Sequence, residues 1–257
     1  MQRRAAFSLP FYVGLLAILL SALLSACTPG ADTTNAFPVG SVPTVGPLYL
    51  GATPFHSCTA SVVSSPSQDL LITAAHCLSG TGIGMTFAPG SVDGSEPYGR
   101  WTVVAAYADP DWIHGQNPLD DVAFLKVAPV SLFGVSLRVQ QVTGANRLVE
   151  TPAVIGQIQV PAYAAGVGGR PIDCFATAYR TGPYPAFDCG GYVGGTSGAP
   201  FIQGSTVLGV IGGLHQGGCL PSISYSPPFG AATIVTFNRA ISGAPGDILP
   251  VPGSDGC

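Results

Sequence analysis

Short apolar runs, rich in β-branched and aromatic residues and each cut off by glycine or proline, recur from residue 58 to residue 237 and constrain the fold more than any other feature. They are "CTASVV" (58–63), "LLIT" (70–73), "WTVVAAY" (101–107), "DVAFLKV" (121–127), "AVIGQIQV" (153–160), "CFATAYR" (174–180), "APFI" (199–202), "VLGVIGG" (207–213) and "TIVTF" (233–237). Each has the length of a strand and is too short for a helix that packs an apolar stripe. The 35 glycines and 24 prolines supply the turns between them, and a charged fraction of 9% leaves few groups to solvate long helices. The pattern predicts an all-β chain, either a sandwich or a pair of barrels of antiparallel strands. Helix is expected only around 231–241, overlapping the last run. No internal repeat is visible, and a composition shift over 130–147 marks the expected crossing between two halves.

The chain opens "MQRRAAFSLPFYVGLLAILLSALLSAC", with two arginines, an apolar stretch from Phe11 to Leu24 and small residues before Cys27. This reads as an export signal rather than a fold element. Leu24-Ser25-Ala26-Cys27 resembles the lipobox of bacterial lipoproteins, which implies cleavage after residue 26 and a lipid on Cys27. Each buried acyl methylene would add about 0.8 kcal/mol of membrane affinity. An ordinary signal peptide followed by an incidental cysteine is the alternative. Residues 27–44 are small, polar and proline-containing, a tether that leaves 45–257 as the folded domain. No second apolar run is long enough to span a bilayer. The expected location is extracytoplasmic, secreted or lipid-anchored to a bacterial membrane.

Losing Arg3 and Arg4 with the signal moves the formal net charge from −4 to −6, which excludes the basic face that nucleic acid requires. Of seven cysteines, Cys27 is set aside for lipid. The other six, Cys58, Cys77, Cys174, Cys189, Cys219 and Cys257, suffice for three disulfides in an oxidising compartment. The four histidines, 56, 76, 114 and 215, are scattered without ligand spacing, so no metal and no cofactor is expected. His56 and His114 read as loop residues.

Three short motifs carry chemistry. "TAAHC" (73–77) sets a histidine at the end of an apolar run, "DDVAFLKV" (120–127) sets an acid before one, and "GGTSGAP" (194–200) holds a serine between glycines. Singly, each has a plain reading: a satisfied polar group, a turn residue, a flexible loop. Together, in the order His, Asp, Ser, they resemble the trypsin/chymotrypsin-like serine peptidases, here a bacterial member. "TAAHC" stands as that family's histidine motif, "DDVAFL" is similar to its Asp-Ile-Ala-Leu-Leu, and "GTSGAP" to its Gly-Asp-Ser-Gly-Gly-Pro. The separation of 45 positions from His76 to Asp121 is typical of it. "VLGVIGG" lies where the family has the strand that flanks substrate, and "SYSPPFG" (224–230) resembles the next strand and its turn.

The resemblance implies two antiparallel six-stranded β-barrels, at about 45–135 and 145–245, and a short C-terminal helix. It implies a monomeric serine endopeptidase acting on polypeptides, with His76 as general base, Asp121 as its orienting acid and Ser197 as nucleophile. Asp120 is the rival acid, but the match of Val122 to Leu125 with the family motif favours Asp121. The oxyanion would sit on the backbone amides of Gly195 and Ser197. Cys58 stands where the family places the partner of the cysteine after the histidine, Cys77. Cys174 and Cys189 flank a hairpin and would pair, leaving Cys219 to Cys257; a Cys189–Cys219 bridge is the rival.

Two departures bear on regulation and specificity. Thr196 replaces the Asp that receives a freed N-terminus in many members, so activity is expected without activation cleavage. Ala199 replaces a glycine, a change of local packing. Gly191 stands where trypsin-like members place a base-reading acid. The pocket, bounded by Tyr192, Gly212, Gly213 and Leu214, is therefore expected to take an apolar or small side chain. His215 would read an acidic side chain or stand in an exposed loop. An α/β-hydrolase needs the reverse residue order and Gly-x-Ser-x-Gly, which Ala199 breaks. The remaining alternative is a catalytically idle peptidase-fold lipoprotein that binds peptides or proteins.

Overall fold

Residues 34–132, 134–150 and 156–257 are described by a computed structural model. The leader, Cys27 and the start of the tether lie outside the described residues.

Six strands form the first ring: β1 (Val45–Tyr49), β2 (Phe55–Val63), β3 (Leu70–Thr73), β4 (Thr86–Phe87), β5 (Trp101–Ala108) and β6 (Ala123–Val127). Their order is β2-β1-β4-β5-β6-β3, all antiparallel, and pairing of β3 back to β2 closes the barrel. A second sheet runs β11-β10-β7-β8-β9-β12, from β7 (Gly156–Gln159), β8 (Phe175–Thr181), β9 (Tyr184–Asp188), β10 (Pro200–Gln203), β11 (Thr206–Val210) and β12 (Ile223–Tyr225). Two hydrogen bonds draw its ends together, from the Gly212 amide to the Tyr225 carbonyl at 2.9 Å and from the Val210 amide to Ser226 Oγ at 3.0 Å. Short strands add to each sheet: Gly166–Val167 on β2 and Arg147–Leu148, parallel, on β11. The crossing over 130–148 holds a small hairpin and one helical turn, Val139–Thr143.

The near-continuous apolar runs of β3 and β6 have a direct cause. Successive side chains point to opposite faces, and here both faces are covered. Leu71, Ala123, Leu125 and Val127 fill the first barrel beside Trp101 and Phe87. Their neighbours Leu70, Ile72, Val122 and Phe124 face outward, into a layer shared with Val207 and Val210 of the second sheet and with Phe237. That last residue belongs to the helix Ala231–Ser242. The run "TIVTF" is therefore helical, as the expectation for 231–241 had it, and not a strand. Thr233, Thr236 and Ala240 are its buried residues, at helical spacing, and Gly243 ends it in the left-handed conformation. The second sheet has its own core in Ile158, Ala176, Phe187, Phe201 and Leu208.

Candidate active site

The site stands where loops of the two sheets meet. Beyond β3 the chain makes a tight 3-10 turn, Ala75–Cys77, which carries His76; the disulfide Cys58–Cys77 ties that turn to β2. A second 3-10 turn, Pro118–Asp120, starts at Asn117, whose side chain accepts from the Leu119 amide, and delivers Asp121 just ahead of β6. Asp121 is fully buried. Its Oδ1 accepts the backbone amide of His76 at 2.8 Å, and its Oδ2 accepts the backbone amide of Gly213 at 2.8 Å. Oδ2 also lies 2.7 Å from Nδ1 of the His76 ring. A carboxylate can only accept, so Nδ1 donates to it, and in the neutral ring Nε2 presents its lone pair.

Ser197 lines the same cleft as His76, a cavity of about 530 Å³. Its carbonyl accepts the Thr59 amide at 2.8 Å, fixing the serine against β2. Two glycines beside it have no substitute. A Cβ on Gly198, at φ +81°, would meet the Thr59 carbonyl at 2.2 Å, and one on Gly195, at φ +96°, would meet the Ala165 nitrogen at 2.0 Å. Residues 193–196 form a turn in which both the amide and the hydroxyl of Thr196 donate to the Val193 carbonyl, at 3.1 and 2.8 Å. The Thr59 hydroxyl then donates to the Gly195 carbonyl at 3.1 Å. Among the described residues no hydrogen bond engages the amides of Gly195 or Ser197. Two backbone donors therefore stand beside the serine, as an oxyanion would require.

No family model matches the sequence, and neither does any curated protein. Solved structures do. The protease Anisep from Arthrobacter nicotinovorans gives a TM-score of 0.66 at 24% identity, over 80% of this chain and 98% of that one. A thermostable serine protease, AL20, from an extremophilic microorganism gives 0.65 at 24% identity, over 78% and 98%. A Glu endopeptidase gives 0.64 at 16% identity, over 82% and 98%.

The fold is chymotrypsin-like.

Within this chymotrypsin-like fold the sequence-predicted residues separate into groups. His76, Ser197 and Tyr192 line the cleft, whereas Gly212, Gly213 and Leu214, expected in its wall, do not. Gly212 and Gly213 pack on the far side instead: a Cβ on Gly212 would meet Asp121 Oδ2 at 3.0 Å, and Gly213 donates to that oxygen. The wall is made by the next residues, His215 to Cys219, and by Ile211 and Ile223. Asp120 turns to Asn117, accepting from Nδ2 at 2.7 Å, and burial pushes its carboxyl above the usual range, with Asp109 and Asp111 adding to the shift. Ala199 is fully buried in the core of the second sheet. The three disulfides join Cys58 to Cys77, Cys174 to Cys189 and Cys219 to Cys257.

His56 is corrected from a loop to a strand. It sits in β2, is 1% exposed, and its Nε2 bonds the Gly168 carbonyl at 2.9 Å. His114 lies on the helical turn Pro110–Gly115. Sequence reasoning did not find Asp255, which comes to the cleft from the far end of the chain. No local signal marks it, because the segment is brought round by long-range contacts: the Cys219–Cys257 bridge and hydrogen bonds to Gly80, Gln116, His215 and Gln216.

Proposed function

We propose that this protein is an exported serine endopeptidase that hydrolyses peptide bonds through an acyl-enzyme. The reading rests above all on one observation: a fully buried Asp121 carboxylate orients His76 over a cleft that also holds Ser197 between glycines. In the proposed reaction Ser197 Oγ attacks the scissile carbonyl while Nε2 of His76 takes its proton. Asp121 keeps the proton of the ring on Nδ1 and stabilises the imidazolium that forms. The tetrahedral oxyanion rests on the amides of Gly195 and Ser197. His76 returns its proton to the leaving amine, and water, deprotonated by the same ring, releases the acyl group.

The turn closed by Thr196 supports activity without activation cleavage, since the amide-bearing loop is held by neutral hydrogen bonds rather than by a charge pair. Among the described residues lining the cleft the one carboxylate is that of Asp255, and Ile211, Ile223 and Ser224 bring none, which favours an apolar or small side chain beside the scissile bond. Three disulfides fit an extracytoplasmic location. Lipid on Cys27 would hold the domain at a membrane, within reach of polypeptide substrates. The test is digestion of a peptide library by the oxidised protein. New termini that vanish with Ser197→Ala are the expected result, and an intact library overturns the reading in favour of a binding module.

A further inference from the structure

Residues 249–257 run from Gly80 to Cys219, and Asp255 among them reaches the cleft. Leu249 pairs with Gly80 through two backbone hydrogen bonds of 2.8 and 2.9 Å. From there Gln116 grips the segment at both ends of its amide, donating to the Val251 carbonyl at 3.1 Å and accepting the Gly253 amide at 2.7 Å. The next two anchors are of a different kind. Gln216 Nε2 donates to the Gly253 carbonyl at 2.9 Å, and His215 Nδ1 donates to the Asp255 carbonyl at 3.0 Å. The Cys219–Cys257 bridge ends the attachment.

His215 and Gln216 are both cleft-wall residues in a conformation that L-residues other than glycine avoid. Their φ, ψ values are 52°, 38° and 52°, 32°, two consecutive left-handed residues that bear side chains. Such a pair persists only where surrounding structure over-determines it. Here the partners of both side chains come from residues 253 and 255. A segment fastened for stability alone has no need to grip the two strained residues of a cleft wall.

Asp255 is exposed and lines the cleft rim. Its Oδ1 accepts the Cys257 amide at 3.0 Å, and among the described residues no cationic side chain pairs with it. It is the one acid among the described residues that line the cleft.

We propose that residues 251–257 are part of the substrate site: they hold the wall His215–Cys219 in its strained course and set Asp255 to select a cationic side chain away from the scissile bond. The proposal rests on the endopeptidase reading and adds a second specificity element to it. Cys219, His215 and Gln216 act as positioning residues. Asp255 is the residue that meets substrate, through a screened surface contact whose discrimination is about two- to fivefold.

The test compares the full mature chain, Cys27→Ser to remove the lipid site, with three variants: Cys219→Ser/Cys257→Ser, Gln216→Ala and Asp255→Asn. Each is titrated with a fluorophosphonate, to count active serines, and profiled on a positional peptide library. Opening the bridge is expected to raise KM about tenfold per active serine with a smaller change in kcat. Gln216→Ala, which keeps every disulfide, is expected to move KM the same way by about threefold. Asp255→Asn is expected to remove a two- to fivefold preference for Lys or Arg at one position outside the scissile residue. A loss confined to the number of active serines, with KM and profile unchanged in all three, overturns the proposal and leaves the endopeptidase reading standing. A parent that neither labels nor cleaves overturns both.

Discussion

The amide of Gly213 donates to Oδ2 of Asp121, the oxygen that also accepts from the ring of His76, so one buried atom joins the histidine loop to the second sheet. Oδ1 meanwhile accepts the His76 backbone amide. Every donor around this side chain expects an acceptor, which makes Asp121→Asn a sharp change. Its new NH2 group would face a backbone N–H and would favour the wrong ring tautomer. A kcat loss on the order of 10⁴-fold is expected, with KM little changed. Steady-state kinetics on the best library peptide checks this, and a loss under tenfold would remove Asp121 from the role.

The backbone around Ser197 predicts two separable defects. Gly198→Ala drives a Cβ into the Thr59 carbonyl at an unfavourable φ, so folding should suffer by several kcal/mol. Gly195→Ala is crowded as well, by Ala165, and it also turns away an oxyanion donor that typically contributes about 3 kcal/mol to the transition state. Thermal melts combined with kcat per folded molecule separate the two. Full activity in Gly195→Ala would contradict the assignment.

If the protein is the peptidase proposed, the local closure of the Thr196 turn predicts activity without activation cleavage. The segment before the domain supports the same loop: the Ala36 amide donates to the Gly190 carbonyl at 2.8 Å, and the Gly190 amide donates to the Thr34 carbonyl at 2.7 Å. Trimming to residue 39 should therefore lower kcat, and Thr196→Val, which removes one partly buried hydrogen bond of the turn, should lower it by about threefold. A mature chain that is inert until trimmed would contradict this.

His56 predicts a pH-dependent stability. Burial pushes its imidazole below the ordinary value of 6.5, with the Gly168 carbonyl opposing the shift. Its Nδ1 has no partner among the described residues, and the rings of Tyr49 and Tyr163 pack edge-on against it. The folded protein therefore favours the neutral ring. Stability from this group is complete above pH 6.5 and is lost as pH falls from there through the lowered folded value. The melting temperature should drop between pH 7 and pH 5, and His56→Gln should flatten that slope. Equal slopes in both proteins would refute the prediction.

What the sequence made legible follows a physical line. Runs such as "LLIT" and "AFLKV" are strands because both faces are buried, and chemistry-bearing motifs at their ends can be read as strings. Strand β1 escaped notice because Pro47 interrupts it, whereas β9 was legible only as the second arm of the hairpin between Cys174 and Cys189. The cleft lining beyond Ile211 falls on His215 to Cys219 rather than on Gly212 to Leu214, a course set by the positive φ of Gly213, His215 and Gln216, which no pattern of hydrophobicity signals. Asp255 was invisible because its position depends on hydrogen bonds from Gln116, His215 and Gln216, residues far away in the chain, as well as on the Cys219–Cys257 bridge.

The most direct measurement is intact-mass analysis of the oxidised mature protein after exposure to a fluorophosphonate, beside Ser197→Ala and His76→Ala. The account predicts one stoichiometric adduct, mapped to Ser197, in the parent alone. A folded, oxidised parent that stays unmodified, or an adduct retained by Ser197→Ala, would contradict it.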